Sequence, residues 1–140
     1  MKIISFVMLL SLLGLVSCSH SESSNQNVAR KSEPIRRLLV KYYESKGHFP
    51  NDGNSLKELD PQISFQGPMW NEWSYTSYDP DEYNMWTYPS KWSRQSLWLK
   101  FNAKDATKTG WFINNDNGDF QPQPIPLLPE EQKLLQKSSR

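Results

Sequence analysis

Ser32-Glu33-Pro34-Ile35-Arg36-Arg37-Leu38-Leu39-Val40-Lys41-Tyr42-Tyr43-Glu44-Ser45-Lys46-Gly47-His48-Phe49-Pro50 is the stretch that organises this chain. Ile35, Leu38, Leu39, Tyr42 and Tyr43 fall at i, i+3, i+4, i+7 and i+8, one face of an α-helix. Arg36, Arg37, Lys41 and Glu44 occupy the opposite face. Ser32 offers an N-cap oxygen, Glu33 suits the positive helix end, and Pro34 is tolerated in the first turn. Gly47 supplies a left-handed stop and Pro50 forbids continuation. The spacing predicts an amphipathic helix over residues 33–46. Beyond it, Ser55 and Glu58 have capping-box spacing, and Pro61 closes a single short turn.

The middle of the chain reads as strands. Trp73, Tyr75 and Ser77 alternate with Ser74, Thr76 and Tyr78, and Asp79-Pro80-Asp81 is a turn signal. In Ser96 to Asn102, Leu97, Leu99 and Phe101 point one way while Trp98 and Lys100 point the other. Gly110 to Asn114 is a further strand with Trp111 and Ile113 on one face. Asn117-Gly118 is a hairpin turn, after which Asp119-Phe120-Gln121 pairs back before the prolines begin. The expected fold is α+β, one N-terminal amphipathic helix packed on a small three- to four-stranded antiparallel sheet.

The helix ending in Tyr42-Tyr43, then Gly47-His48-Phe49-Pro50, then Ser55-Leu56-Lys57-Glu58-Leu59, resembles the globular heads of type IV pilins and type II secretion pseudopilins. The resemblance covers Ile35 to Leu59 and implies that the helix packs on an antiparallel sheet, with the Phe-Pro turn sealing its end. It departs from the family at the N-terminus. There a cleavable leader and a polar linker stand in place of the long apolar helix that packs a pilus, so filament assembly in the family's manner has no physical basis.

Nine Trp or Tyr residues lie between Trp70 and Trp98. They admit two uses. Large rings fill the core of a small domain that has no disulfide, the natural role for Tyr75, Trp98 and Trp111. Alternatively, Trp70, Trp73, Trp86 and Trp92, in sequence rich in Pro, Ser and Asn, form a surface for a protein partner or a glycan.

Chemistry is sparse. No nucleophile elbow and no phosphate-cradling glycine loop occurs, so no catalytic residue and no cofactor is assigned. His48 beside Asp52 reads as a helix-terminal histidine before an acid–base pair, and His20 as a solvated linker residue. Asn114 to Asp119 is acidic enough to raise calcium binding by Asp116 and Asp119. It fails the EF-hand spacing, however, and a turn needs the same residues for backbone reasons. No metal is assigned. Pro122, Pro124, Pro126 and Pro129 space an extended C-terminal arm (122–140) with a short helical end. It either lies across its own domain through Ile125, Leu127 and Leu128 or serves as a ligand for a partner.

Outward from the head, residues 18–31 read as a polar, flexible tether with a reach of about 20 Å. Met1-Lys2 and the apolar run Ile3 to Val16 have signal-peptide proportions, too short for a membrane span. Leu15-Val16-Ser17-Cys18 resembles the lipobox of bacterial lipoproteins. The resemblance implies removal of residues 1–17, acylation of Cys18 and anchorage in a bilayer. Ser19 after the cysteine implies outer-membrane sorting, facing the periplasm or the cell surface. Two or three acyl chains hold firmly where one is marginal. Cys18 is the sole cysteine of 140 residues, so no intrachain disulfide forms. Of 16 basic and 15 acidic residues only Lys2 lies in the leader. The mature chain is therefore neutral, which argues against a nucleic-acid partner. The domain expected to carry function is 32–121: a non-enzymatic lipoprotein head that binds an envelope protein or other surface partner, with carbohydrate or peptidoglycan as the alternative.

Overall fold

The computed structural model describes residues 20–62, 65–66, 69–70, 73–90 and 92–138. Met1 to Ser19, and with them the leader and Cys18, lie outside the described residues. Helix α1 (His20–Lys31) leads through Ser32 into α2 (Glu33–Lys46). A 3-10 turn (Gly53–Glu58) follows, then β1 (Phe65–Gln66), β2 (Met69–Trp70), β3 (Trp73–Asp79), β4 (Glu82–Thr87), β5 (Ser96–Asn102), β6 (Gly110–Asn114), β7 (Phe120–Gln123) and α3 (Pro129–Ser138).

The α+β class is as expected, but the sheet is larger than three or four strands. β3 to β7 form a five-stranded antiparallel meander, and the two-residue strands β1 and β2 extend its β3 edge. The added strand is β4. Tyr83, Met85 and Thr87 turn inward while Glu82, Asn84 and Trp86 turn outward. A tryptophan on the outer side breaks the polar–apolar alternation that marks a half-buried strand. β7 also runs further than expected, since Pro122 pairs with Phe112 and Gln123 with Trp111. A proline is tolerated there because β7 ends the order of strands and needs no N–H donor on its outer side.

α2 spans its expected residues, and Gly47, at φ 78°, closes it by donating its N–H to the Tyr43 carbonyl. Its start differs. Ser32 has near-helical dihedrals and makes no side-chain cap; its hydroxyl donates to the Ala29 carbonyl at 2.6 Å. The reason is α1, which replaces the expected flexible tether from His20 onward. Ser32 N–H donates to Ala29 O and Ser32 O accepts from Arg36 N–H, so Ser32 joins the two helices through its own backbone. Ala29 is buried, with Val28 packed beside it. The 3-10 turn is likewise capped by Asp52, which accepts from Ser55 N–H at 3.2 Å, and not by a Ser55–Glu58 box.

Ile35, Leu39 and Tyr42 of α2 meet Trp73, Tyr75, Tyr83, Met85, Leu97, Leu99, Phe101, Trp111 and Ile113 from the inner face of the sheet. Phe49 seals the helix end. Its ring centroid lies 4.5 Å from Tyr43, 4.8 Å from Tyr83 and 5.9 Å from Phe101. Its N–H donates to Pro80 O, and Tyr75 OH donates to Pro50 O at 2.6 Å.

Arg36 departs most from the sequence reading. Placed on the solvent face, it is 2% exposed instead, its partner Glu131 of α3 fully buried. Arg36 Nε donates to Glu131 Oε1 at 2.8 Å and Nη2 to Oε2, a bidentate pair. Tyr83 OH donates to Oε1 at 3.1 Å and Leu128 N–H to Oε2 at 2.8 Å. The guanidinium also lies 5.0 Å from the Trp111 ring centroid. The C-terminal arm therefore lies on its own domain, Leu128 buried and Ile125 and Leu127 packed against the core.

Three tyrosines hold their protons more tightly than a free phenol. Burial, then the hydrogen bond to Asp81, pushes Tyr43 up to about 12 from 10.0. Burial also raises Tyr75, and burial with the Glu131 charge raises Tyr83 well above 10.0. A raised folded-state pKa stabilises the native state fully below the unfolded value and is lost as pH climbs through the folded one. Stability is thus expected to hold up to about pH 10 and fall between about pH 10 and 12. Thermal melts across that range, read alongside tyrosinate absorbance, check it. All six phenols titrating together with a midpoint near pH 10 while the fold stays intact would contradict it.

Candidate functional site

The helices cover one face of the sheet. The opposite face carries the outward residues of β3 to β7, and their registers align them in rows. Ser74 stands opposite Trp86, Trp86 opposite Trp98, Trp98 opposite Phe112, and Phe112 opposite Pro122. In the next row Thr76 is opposite Asn84, Asn84 opposite Lys100, and Lys100 opposite Gly110.

Trp86 and Trp98 stack, centroids 4.5 Å apart and planes 8° from parallel. That separation matches the spacing of adjacent strands, so each ring stands over its own strand. Phe120 meets Trp98 edge-on at 5.4 Å and Phe112 at 6.3 Å. Lys100 Nζ lies 3.6 Å from the Phe120 ring centroid and 5.5 Å from that of Phe112. Trp98 is fixed further by its Nε1–H, which donates to Ser96 Oγ at 2.7 Å. These rings remain partly exposed.

Of the four expected tryptophans, the three whose side chains are described do not converge. Trp73 is 2% exposed, edge-on to Trp111 at 6.0 Å, and belongs to the core; its strand alternation with Tyr75 had already placed it on one face with a core residue. Trp92 is 93% exposed in the β4–β5 connection. The Trp70 backbone pairs with Trp73 in β2, while its side chain lies outside the described residues. Of the three whose side chains are described, only Trp86 joins the aromatic row. Trp98, expected in the core with Tyr75 and Trp111, stands half-buried on the outer face instead, and with Phe112, Phe120 and Lys100, which the sequence reading did not single out, completes the row. The signal lay in the outward positions of β5 and β6, each legible strand by strand but never combined across strands.

Other candidates are engaged elsewhere. His48 Nδ1 lies 2.9 Å from the Phe49 carbonyl oxygen with its ring edge-on to Tyr42, and Asp52 caps the 3-10 turn. In the Asn114–Asp119 loop, Gly118 adopts φ 85°, and the Asp119 carboxylate accepts from Asn117 Nδ2 at 2.9 Å. Asp116 is exposed in the turn, and among the described residues no group of three or more metal-ligating side chains assembles. A cleft of about 340 Å³ opens between α1, α2 and the arm. Of the three arginines that line it, Arg36 is paired with Glu131 and Arg37 with Glu33 and Glu130, while Arg30 is exposed at its rim.

No family model matches the chain, and no match was found among curated proteins or solved structures.

Proposed function

We propose that this chain is a non-enzymatic envelope lipoprotein, held at a bilayer by acyl chains on Cys18, whose α+β head binds a protein or other surface partner. The partner is received on the open face of the sheet. One observation carries the binding role: aromatic rings from four strands, Trp86, Trp98, Phe112 and Phe120, gather on the face opposite the helices. Aromatic side chains dominate recognition hot spots because they bring large area at low entropy cost. The anchor is supported by Leu15-Val16-Ser17-Cys18 following an apolar leader, and outer-membrane sorting by Ser19. The pilin-like reading is supported by the order of amphipathic helix, Phe49-Pro50 turn and antiparallel sheet.

Cys18→Ser tests the anchor. It is expected to abolish incorporation of labelled palmitate and to move the protein from the membrane to the soluble fraction; persistent label would refute acylation at Cys18. For the binding face, a photo-crosslinker in cells at position 86 should trap a partner that the same probe at exposed Tyr78 does not. Equal trapping from both positions, or none from position 86, would count against it.

A further inference from the structure

Resting on the Cys18 anchor proposed above, we propose that the connection between β4 and β5 is a second membrane contact, which seats Trp92 among the headgroups of an anionic bilayer surface. Trp92 is 93% exposed and Tyr88 60% exposed, whereas the other tryptophans with described side chains are buried or half-buried. The connection is built to hold the ring in that position. Ser93 N–H donates to Ser90 O at 3.1 Å, closing a four-residue turn with Trp92 in its third place. Ser93 Oγ donates to Gln95 O at 2.7 Å and accepts from Gln95 N–H at 3.1 Å. Gln95 Nε2 in turn donates to Asn115 Oδ1 at 2.7 Å, which ties the connection to the loop after β6. Trp92 is thus presented on a braced turn.

The topology sets this turn on the side from which the chain arrives. Thr87 and Ser96 bound the connection, while Glu82 and Asn102 stand at the other end of β4 and β5, beside the β3–β4 turn. α2 finishes at that far end, where Phe49 N–H donates to Pro80 O and Tyr43 OH to Asp81. Its first turns, with Arg36 over Trp111, lie back toward the Trp92 end. α1 leads into α2 through the near-helical Ser32 and is about 18 Å long, with Ser19 alone between it and Cys18. A helix therefore sets the distance between bilayer and head, and the chain coming from the anchor meets α2 at the end nearer Trp92.

The composition selects a lipid surface. Tyr88 to Gln95 holds two cations, Lys91 and Arg94, and no acid, in a mature chain whose charges balance. Indole and phenol rings favour the membrane–water boundary, where an apolar body and a polar N–H or O–H are both satisfied. Cations beside them are drawn to anionic headgroups. A protein hot spot instead needs a surrounding rim that excludes water. The neighbours along the turn, Ser90, Ser93 and the exposed Arg94, offer none. With acyl chains already holding the head near the bilayer, even a weak second contact becomes intramolecular and fixes the orientation of the head.

The test reconstitutes the acylated chain in vesicles of phosphatidylglycerol and brominated phosphatidylcholine. Bromine quenches only rings that reach the bilayer. The emission that Trp92→Ala removes from the wild-type spectrum is the Trp92 component, and it is expected to be blue-shifted and quenched. Arg94→Glu leaves the ring in place and should lessen that quenching, as should replacing phosphatidylglycerol with phosphatidylcholine. Both substitutions fall at exposed sites, so the thermal midpoint should be retained. A Trp92 component that stays unquenched while the chain floats with the vesicles overturns the proposal; the anchor then stands and the turn is left for a protein partner. Quenching indifferent both to Arg94→Glu and to loss of phosphatidylglycerol overturns it too. A chain that carries no acyl mass and does not float refutes the anchor itself, and this contact with it.

Discussion

Glu131→Ala is expected to lower the unfolding free energy by about 3–5 kcal/mol, because it leaves the Arg36 guanidinium buried and unpaired. The carboxylate accepts from Arg36 Nε and Nη2, Tyr83 OH and Leu128 N–H, so four donors lose their acceptor together. Against a typical domain stability of about 5–15 kcal/mol this is a large fraction. Urea unfolding measures it as a lower midpoint at unchanged slope. The pair itself need not be net stabilising. Arg36→Leu combined with Glu131→Leu is expected to recover most of the loss, since a well-packed apolar pair avoids the desolvation of two charges. A loss under about 1 kcal/mol for Glu131→Ala would mean that the pair behaves like a solvated surface bridge.

Phe49→Ala is expected to cost a similar amount, about 3–5 kcal/mol, for a different reason. Phe49 is fully buried and its ring touches those of Tyr43, Tyr83 and Phe101. Truncation leaves a cavity bounded by three stiff rings that belong to α2, β4 and β5 and cannot collapse together. Phe49→Leu should cost clearly less, because it refills most of the volume. Equal losses for Ala and Leu would assign the effect to the ring–ring contacts and not to the void.

These two residues differ in how far the sequence discloses them. Phe49 follows a glycine stop and precedes a proline, so its position at the sealed end of α2 could be read locally. Arg36 could not. Its carboxylate partner lies 95 residues away, and a charge beside Arg37 on an amphipathic helix reads as solvent-facing. β5 and β6 were legible because their inward residues alternate cleanly. β4 was hidden by Trp86, an apolar residue on the outer side. α1 was hidden by composition: Ser, Asn, Gln and Glu dominate it, and Ala29 with Val28 alone signals contact with the core. The aromatic row was the hardest to see, because it exists only across strands. Strand alternation gives the side each ring takes, but adjacency needs the register.

The meander also has a temporal side. Each of β3 to β7 pairs with its neighbour in sequence, so the sheet can zip hairpin by hairpin with short loops to close. The clasp between Arg36 and Glu131 instead spans most of the head, and its loop-closure entropy is small only once the sheet has already drawn the ends together. Assembly is therefore expected to run from the centre outward. The first long helix carries an unmatched cation until the last helix arrives to neutralise it.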